Sequence, residues 1–267
     1  MVIVRILGGL GNQMFQYAYA KSLDVKGINV KLDLSEIKKY KLHGGYQLDK
    51  FNITVEHVKK LKLLFFKLNP FYHFKEKNLM FDKNLLQFNS DKYVKGYFQS
   101  EKYFLNIRET LLENFTFNKK KTNSTNKYID QIKKIENSCS IHIRRGDYVT
   151  NLETNQIHGI CSLKYYEKGI QLIMKKYKNV KFYIFSDDIS WAKKNLKITD
   201  SVFIDHKCTP HEDLYLMSIC KHNITANSSF SWWGAWLNKN KSKTVIAPTH
   251  WYKTKNNEIV PKNWIKI

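Results

Sequence analysis

Two arginines stand side by side in Ser140-Ile141-His142-Ile143-Arg144-Arg145-Gly146-Asp147-Tyr148, a stretch that reads as a buried strand breaking into a loop. The chain has 45 lysines and arginines, yet only Arg5, Arg108, Arg144 and Arg145 are arginine. A planar fork therefore stands where lysine serves almost everywhere else. A guanidinium grips a phosphate through two parallel hydrogen bonds, which an ammonium cannot do. The pair points to an anion site at a strand's carboxyl end, somewhat ahead of a plain salt bridge to Asp147. His142, on the same strand, is by default a satisfied core histidine and next a ligand contact.

Three other stretches carry groups of the same kind. Gly8-Gly9-Leu10-Gly11-Asn12-Gln13 follows an apolar run and precedes a helix, so its backbone N–H groups could meet an anion. It matches a dinucleotide fingerprint poorly, because the third glycine position is Met14, and a tight turn explains it about as well. Asn227-Ser228-Ser229-Phe230 starts a helix, where Asn and Ser are ordinary caps and also a phosphate cradle. The Trp232-Trp233-Gly234-Ala235-Trp236 cluster reads mostly as core, with stacking of one face on a base or sugar as the second reading. Ser186-Asp187-Asp188 lacks Asp-x-Asp spacing and has no nearby His or Glu, so ribose or base contact or helix capping is favoured over metal. Arg145-Gly146-Asp147 as an adhesion tripeptide is coincidence.

These residues need a scaffold, and 267 residues at 43% hydrophobic content can build one large domain or two smaller ones. Val2–Leu7 and Val30–Leu34 read as strands, with a helix near Gln13–Val25 closed by Gly27. Val55–Leu68 and Glu101–Phe115 read as helices and Tyr93–Phe98 as a strand, while Phe71–Phe88 has no clear pattern. Asn118–Lys127 is polar and reads as a linker. Beyond it, strands are expected at Cys139–Ile143, Lys181–Phe185, Val202–Ile204, Ile224–Ala226 and Thr244–Ala247. Helices are expected at Leu163–Tyr177, Trp191–Leu196, Glu212–Cys220 and Phe230–Asn238. The expectation is an α/β fold of two Rossmann-type halves: 1–117, a connecting stretch 118–137, and 138–267. Ligands in such sheets sit at the carboxyl ends of strands. That rule gathers Gly8–Gln13, Arg144–Asp147, Ser186–Asp188 and Asn227–Ser229 around one cleft.

The net charge of +22 suggests acidic partners, but lysine is spread along the whole chain and no nucleic-acid-binding motif is present. Cys139, Cys161, Cys208 and Cys220 have no metal-ligand spacing and read as buried thiols in a reduced compartment. No signal-peptide pattern and no run of membrane-spanning length is present, which points to a cytoplasmic protein.

The motifs GGLGNQMFQYA (Gly8–Ala18), GYFQSEKYF (Gly96–Phe104), HIRRGDY (His142–Tyr148), FSDD (Phe185–Asp188) and NSSFSWWGAWL (Asn227–Leu237) occur in one order along nearly the whole chain. This set resembles the bacterial α-1,2-fucosyltransferases of glycosyltransferase family 11. The resemblance implies a GT-B-like fold, two halves facing across a cleft, and inverting, metal-independent transfer of L-fucose from GDP-fucose to a galactose-containing glycan, lipid-linked in surface-glycan or O-antigen synthesis. No cofactor is expected beyond the donor substrate, no metal, no nucleic acid, and at most peripheral contact with the inner face of the cytoplasmic membrane. Carried over by position, Arg144 grips the pyrophosphate, with Arg145 and Asp147 completing the motif. His142, Gly9, Gly11, Ser186, Asp187, Asp188, Asn227, Ser228, Ser229 and Phe230 fall on the nucleotide side. Asn12 matches an asparagine of the catalytic site in protein fucosyltransferases. Asp147 is the candidate general base, with orientation of the arginines as its other role, since pairing to a guanidinium makes a weak base. Two alternatives remain: a basic nucleic-acid or anionic-surface binder, and an NAD-dependent oxidoreductase in which Asp33 holds a ribose.

Overall fold

The structure, a computed structural model, describes residues 1–37, 39, 44–117, 122–204, 208–253 and 256–267. The chain forms two compact units, Met1–Asn118 with Asn256–Pro261 and Lys119–Lys255 with Lys262–Ile267.

In the first unit, β1 (Val2–Arg5) is followed by α1 (Leu10–Val25), β2 (Val30–Asp33), α2 (Lys60–Leu68), β3 (His73–Lys75), β4 (Lys92–Lys95) and α3 (Arg108–Asn114). The strands pair in parallel in the order β2-β1-β4-β3. β1 is central, and Val2, Ile3 and Val4 are fully buried, as a continuous apolar run requires when both faces are covered. α1 begins three residues earlier than the apolar pattern suggests. Gly8 takes φ +92° and Gly9 caps the helix, so strand passes to helix through a single tight turn. Gly27 closes α1 with φ +83°.

Two expected helices are shorter than predicted. The stretch before Lys60 is not helical, and Glu101–Tyr103 and Leu105–Ile107 are 3₁₀ turns ahead of α3. The patternless Phe71–Phe88 holds the short edge strand β3 and the 3₁₀ turn Lys83–Leu86. Asp33, the ribose-binding acid of the oxidoreductase alternative, is fully buried. Its carboxylate accepts from Tyr93 Oη (2.7 Å) and Ser35 N (2.8 Å) and pairs with Lys67 Nζ (3.0 Å). Burial alone would raise its pKa, but these bonds hold it below the ordinary carboxylate range. It is a structural anchor with no face left for a ribose.

The second unit runs α4 (Asn123–Lys134), β5 (Asn137–Ile143), α5 (Gly146–Thr150), α6 (Leu152–His158), α7 (Leu163–Lys176), β6 (Val180–Ser186), α8 (Ile189–Asn195), β7 (Ser201–Phe203), α9 (Pro210–Ile219), β8 (His222–Ile224), α10 (Ser229–Trp236), β9 (Val245–Ala247) and β10 (Ile265–Lys266). Residues 118–121 of the expected linker lie outside the described residues. Its remainder enters α4, which buries Thr125, Ile129 and Ile132 at helical spacing. The sheet is parallel, in the order β10-β9-β8-β5-β6-β7. Counted by the unit's own strands, that is the doubly wound dinucleotide-binding order, which reverses direction between β5 and β8. One face of β5 puts Cys139, Ile141 and Ile143 into a core with α7, β6 and α8. Its other face is polar, and at Ser140 it is satisfied: Ser140 Oγ accepts from Asn223 Nδ2 at 2.7 Å, and Asn223 Oδ1 accepts from Asn238 Nδ2 at 2.8 Å. Trp232, Trp233 and Trp236 are all buried, so they are core and do not stack on a ligand.

Glu212 fastens α4 to α9. It completes the capping box of α9 with Thr209 and accepts from Thr209 N (2.8 Å) and Thr122 N (2.6 Å). Burial would raise its pKa, but the backbone bonds from Thr122 and Thr209 dominate and bring it down to about 2 from 4.5. A depressed carboxyl contributes stability above its unfolded pKa and loses it as pH falls through the folded value. Glu212→Ala is therefore expected to cost about 1–3 kcal/mol in urea unfolding at neutral pH, the range for orphaning buried donors. The gap from wild type should narrow as pH is lowered from 4.5 toward 2. An unchanged gap would show that the carboxylate's charge contributes nothing.

Candidate active site

β5 ends at Ile143, so Arg144 and Arg145 leave its carboxyl edge and α5 opens at Gly146. Arg144 is clamped from two sides. Its Nη2 donates to Asp147 Oδ1 at 2.5 Å, and its Nη1 meets Asp187 Oδ2, from the end of β6, at 2.8 Å. Its guanidinium lies 5.3 Å over the Tyr148 ring, and Tyr148 stacks on His158 at 4.7 Å. Arg145 donates its backbone N–H to Asp187 Oδ1 (2.8 Å) and its Nε to Asp188 Oδ2 (3.2 Å). Its guanidinium sits 4.0 Å over Trp191. Asp188 also caps α8 by accepting from Trp191 N at 3.0 Å. That bond first, then Arg145, holds its carboxyl below the usual range against weak desolvation. Ser186 Oγ accepts from Asp188 N at 2.9 Å, which shapes the same turn.

These ion pairs are partly exposed, and such pairs contribute about 0–1 kcal/mol each. Their consequence is geometric: three carboxylates and two aromatic rings fix where two guanidinium planes point. Gly146 is what allows it. A Cβ there would stand 2.5 Å from Asp187 Oδ2, inside the space the bridging carboxylate occupies.

The other wall of the site comes from β8. Asn227 is buried, and its Nδ2 donates to His158 O (2.8 Å), Gly159 O (3.3 Å) and Trp251 O (3.4 Å). Its side chain is thus spent on tying loops to the strand end. Ser228 occupies the cap position of α10, yet its side chain makes no capping bond. Ser231 closes that turn instead, bonding Ala226 N and O at 3.1 Å each. Ser229 and Phe230 begin α10 and are partly exposed. The Phe230 ring lies 5.4 Å from that of His142. Burial first, then the charge of Arg144, pushes His142 down to about 3, and its buried Nδ1 has no hydrogen-bond partner. It is a neutral imidazole with one unsatisfied nitrogen. Arg144, His142 and the start of α10 thus border the point where the sheet order reverses, the place where ligands bind in this topology.

In the first unit, Asn12 lies in the opening turn of α1, and its Oδ1 accepts from Gln99 Nε2 at 2.9 Å. Glutamines pin this turn. Gln13 Nε2 reaches Gly8 O and Gly45 O, each at 2.8 Å, and Gln16 joins Leu7 N (2.8 Å) to Gly96 O (3.1 Å). The half-buried Glu76 accepts from Tyr97 N (2.7 Å) and Phe98 N (3.2 Å), and desolvation outweighs those bonds to raise its pKa. Gly9 is the cap of α1 and Gly11 is buried in its first turn. Sequence reading missed Gln99, Glu76, Trp191 and the bridging role of Asp187. Only Asp187 carried a signal, its place beside a strand end. Among the described residues, no three His, Cys, Asp or Glu side chains group as metal ligands would.

An oriented guanidinium beside a helix start is an arrangement able to hold an anion. The fold is similar to that of the fucosyltransferase NodZ from Bradyrhizobium, with a TM-score of 0.50 at 13% identity, covering 87% of this chain and 91% of that one. This is the GT-B class of glycosyltransferase fold. The chain belongs to Glycosyl transferase family 11, whose sequence model matches residues 1–267. It is 39% identical to an alpha-1,2-colitosyltransferase of Escherichia coli, covering 100% of this chain and 99% of that one. It is 32% identical to the O-antigen biosynthesis glycosyltransferase WbnK of Escherichia coli, over 97% and 98% of the two chains.

Gly146→Ala is expected to leave the sheet folded, to part Asp187 from Arg144, and to cut glycosyl transfer by roughly 10²-fold, the scale for a misplaced positioning group. Activity within a factor of about two of wild type, with the fold intact by circular dichroism, would mean the clamp does not matter.

Proposed function

We propose that this enzyme transfers L-fucose from GDP-β-L-fucose to the 2-hydroxyl of a galactoside, with inversion, forming an α-1,2 linkage during O-antigen or surface-glycan synthesis. The acceptor is a galactose-containing glycan, lipid-linked and met in the cytoplasm. The observation supporting this reading most directly is the clamped Arg144 beside the start of α10. In the reaction the acceptor oxygen bonds to the anomeric carbon while the carbon–oxygen bond to the β-phosphate breaks. The electron pair leaves with GDP. Arg144 and the N–H groups of Ser229 and Phe230 meet the growing charge on the diphosphate, so no metal is required for that step. His142 contacts the nucleotide as a neutral group. Ser228 and Ser229 supply hydroxyl donors, and Arg145, Ser186, Asp187 and Asp188 shape the pocket. Gly9 and Gly11 serve the nucleotide side, and Asn12 is a residue of the catalytic site.

Asp147 acts as an orienting residue in this account. One of its oxygens is already given to Arg144, and the transition state is oxocarbenium-like, so the hydroxyl proton is lost late, to water or to the departing diphosphate, and needs no strong base. The 39% identity to a colitosyltransferase supports a second reading at the same site, transfer of colitose.

A thermal-shift panel with GDP, GDP-fucose, GDP-colitose, GDP-mannose, UDP, NAD and a short oligonucleotide, all in EDTA, tests the donor. Stabilisation by GDP and GDP-fucose is expected, and the linkage of the product is read by NMR. Transfer of colitose without fucose would select the second reading. A response to UDP, NAD or the oligonucleotide with none to GDP would end both. Arg144→Lys keeps the charge but loses the fork, and a rate loss of roughly 10²–10³ is expected, as for removing one preorganised donor. Asp147→Asn should weaken GDP binding as well as transfer, because the fork loses an anchor. Normal GDP affinity with no turnover would instead make Asp147 the general base.

A further inference from the structure

α2 is apolar on two faces. Leu63 and Phe66 face inward and pack with Ile3 and Tyr93 in the first unit's core. Leu61, Leu64, Phe65 and Leu68 recur at i, i+3, i+4 and i+7, which puts them on one stripe of the opposite face. They are 84%, 53%, 57% and 73% exposed. Phe71, in the turn that follows, is 76% exposed and extends the patch. No packing within the fold accounts for five large apolar side chains turned to solvent together.

The charge around the patch is of one sign. Lys60 and Lys62 are exposed and flank the stripe at helical angles of about 100° to either side of Leu61. Lys59 is exposed as well, and Lys92 Nζ lies 5.0 Å over the Phe71 ring. Between Glu56 and Glu76 the chain contains no Asp or Glu. Lys67, on the inner side, is the exception in role, since it is paired with Asp33 and Glu36. A stripe of Leu and Phe with lysines along both edges is the pattern of a helix that lies in a bilayer interface, its rings among acyl chains and its ammonium groups at anionic headgroups.

We propose that α2 and the Pro70–Tyr72 turn form a membrane-docking surface for an anionic phospholipid bilayer. A second copy of this chain fits the patch less well, because each copy carries +22 and would bring the same lysines together. The surface is argued from α2 and its flanks alone and stands whichever sugar the enzyme transfers. No helix among the described residues is long and apolar enough to cross a membrane, so attachment here is lateral.

Co-sedimentation of the full chain with phosphatidylglycerol–phosphatidylethanolamine vesicles and with phosphatidylcholine vesicles tests this. Binding is expected to the anionic vesicles, weakening as salt rises. The triple variant Leu61→Gln, Phe65→Gln, Leu68→Gln keeps helix-forming side chains. It should bind the same vesicles at least roughly tenfold more weakly, given the apolar area removed. The thermal shift produced by its nucleotide should be unchanged, which separates this surface from the donor site. Lys60→Gln with Lys62→Gln should reduce binding to anionic vesicles only. Three results would overturn the proposal: wild type left in the supernatant at low salt; the triple variant binding as wild type does, which would assign attraction to the general lysine coat; or a wild-type dimer that the triple variant abolishes with neither protein bound to vesicles.

Discussion

The second unit depends on holding a cation still while leaving it able to meet an anion. Arg144 is gripped by Asp147 on one side and Asp187 on the other, and Arg145 by Asp188 and the face of Trp191. Three carboxylates surround two guanidiniums, so the loop does not attract a diphosphate by net positive charge. It supplies orientation. In the proposed function, the attraction would come from guanidinium N–H groups beyond those spent on the clamp, together with the first N–H groups of α10. Partly exposed pairs add little stability, which is consistent with a site whose ion pairs must rearrange when a charged ligand arrives.

The same constraint explains neighbouring residue choices. Gly146 leaves room for the bridging carboxylate of Asp187, and Tyr148 provides a floor under Arg144 that is itself braced by His158. Asn227 fixes the loop beneath by bonding three backbone carbonyls, and Ser231 closes the entry to α10 so that Ser228 need not. In the first unit, Gln13, Gln16 and Gln99 perform the comparable task for the turn that carries Asn12. Both sheets thus place their polar machinery at strand ends where the order reverses: between β1 and β4 in one, between β5 and β8 in the other.

Much of this was legible because strands buried on both faces must be continuously apolar. Val2–Arg5 announces itself that way, Asn137–Ile143 shows instead the alternation of Cys139, Ile141 and Ile143 with polar residues, and Arg144 is visible as a rare arginine just past it. The glycine run read equally as an anion-binding loop or a tight turn, because sequence gives no φ angle; with Gly8 at φ +92° it is a single turn into α1. α4 was obscured because only Ile129, Ile132 and Thr125 mark its inner face among lysines and asparagines. The Asp187–Arg144 contact spans residues far apart in the chain and follows from β5 and β6 lying in register, which no local pattern encodes. The helical run of Leu and Phe in α2 was readable, but periodicity cannot say which of two apolar faces the fold will cover. Asp33 misled for a related reason: its position suits a ribose acid, while its partners Tyr93 and Lys67 come from elements that only the folded sheet brings near.

The central claim is that an oriented Arg144 and the start of α10 form one diphosphate site at the reversal of the second sheet. A crystal structure with GDP, grown in the presence of EDTA, tests it most directly. The account predicts the β-phosphate between the Arg144 guanidinium and the backbone N–H groups of Ser229 and Phe230, with Asp187 still bonded to Arg145 N. A diphosphate bound away from the β5 and β8 strand ends, or bound there with no contact to the Arg144 guanidinium, would contradict it.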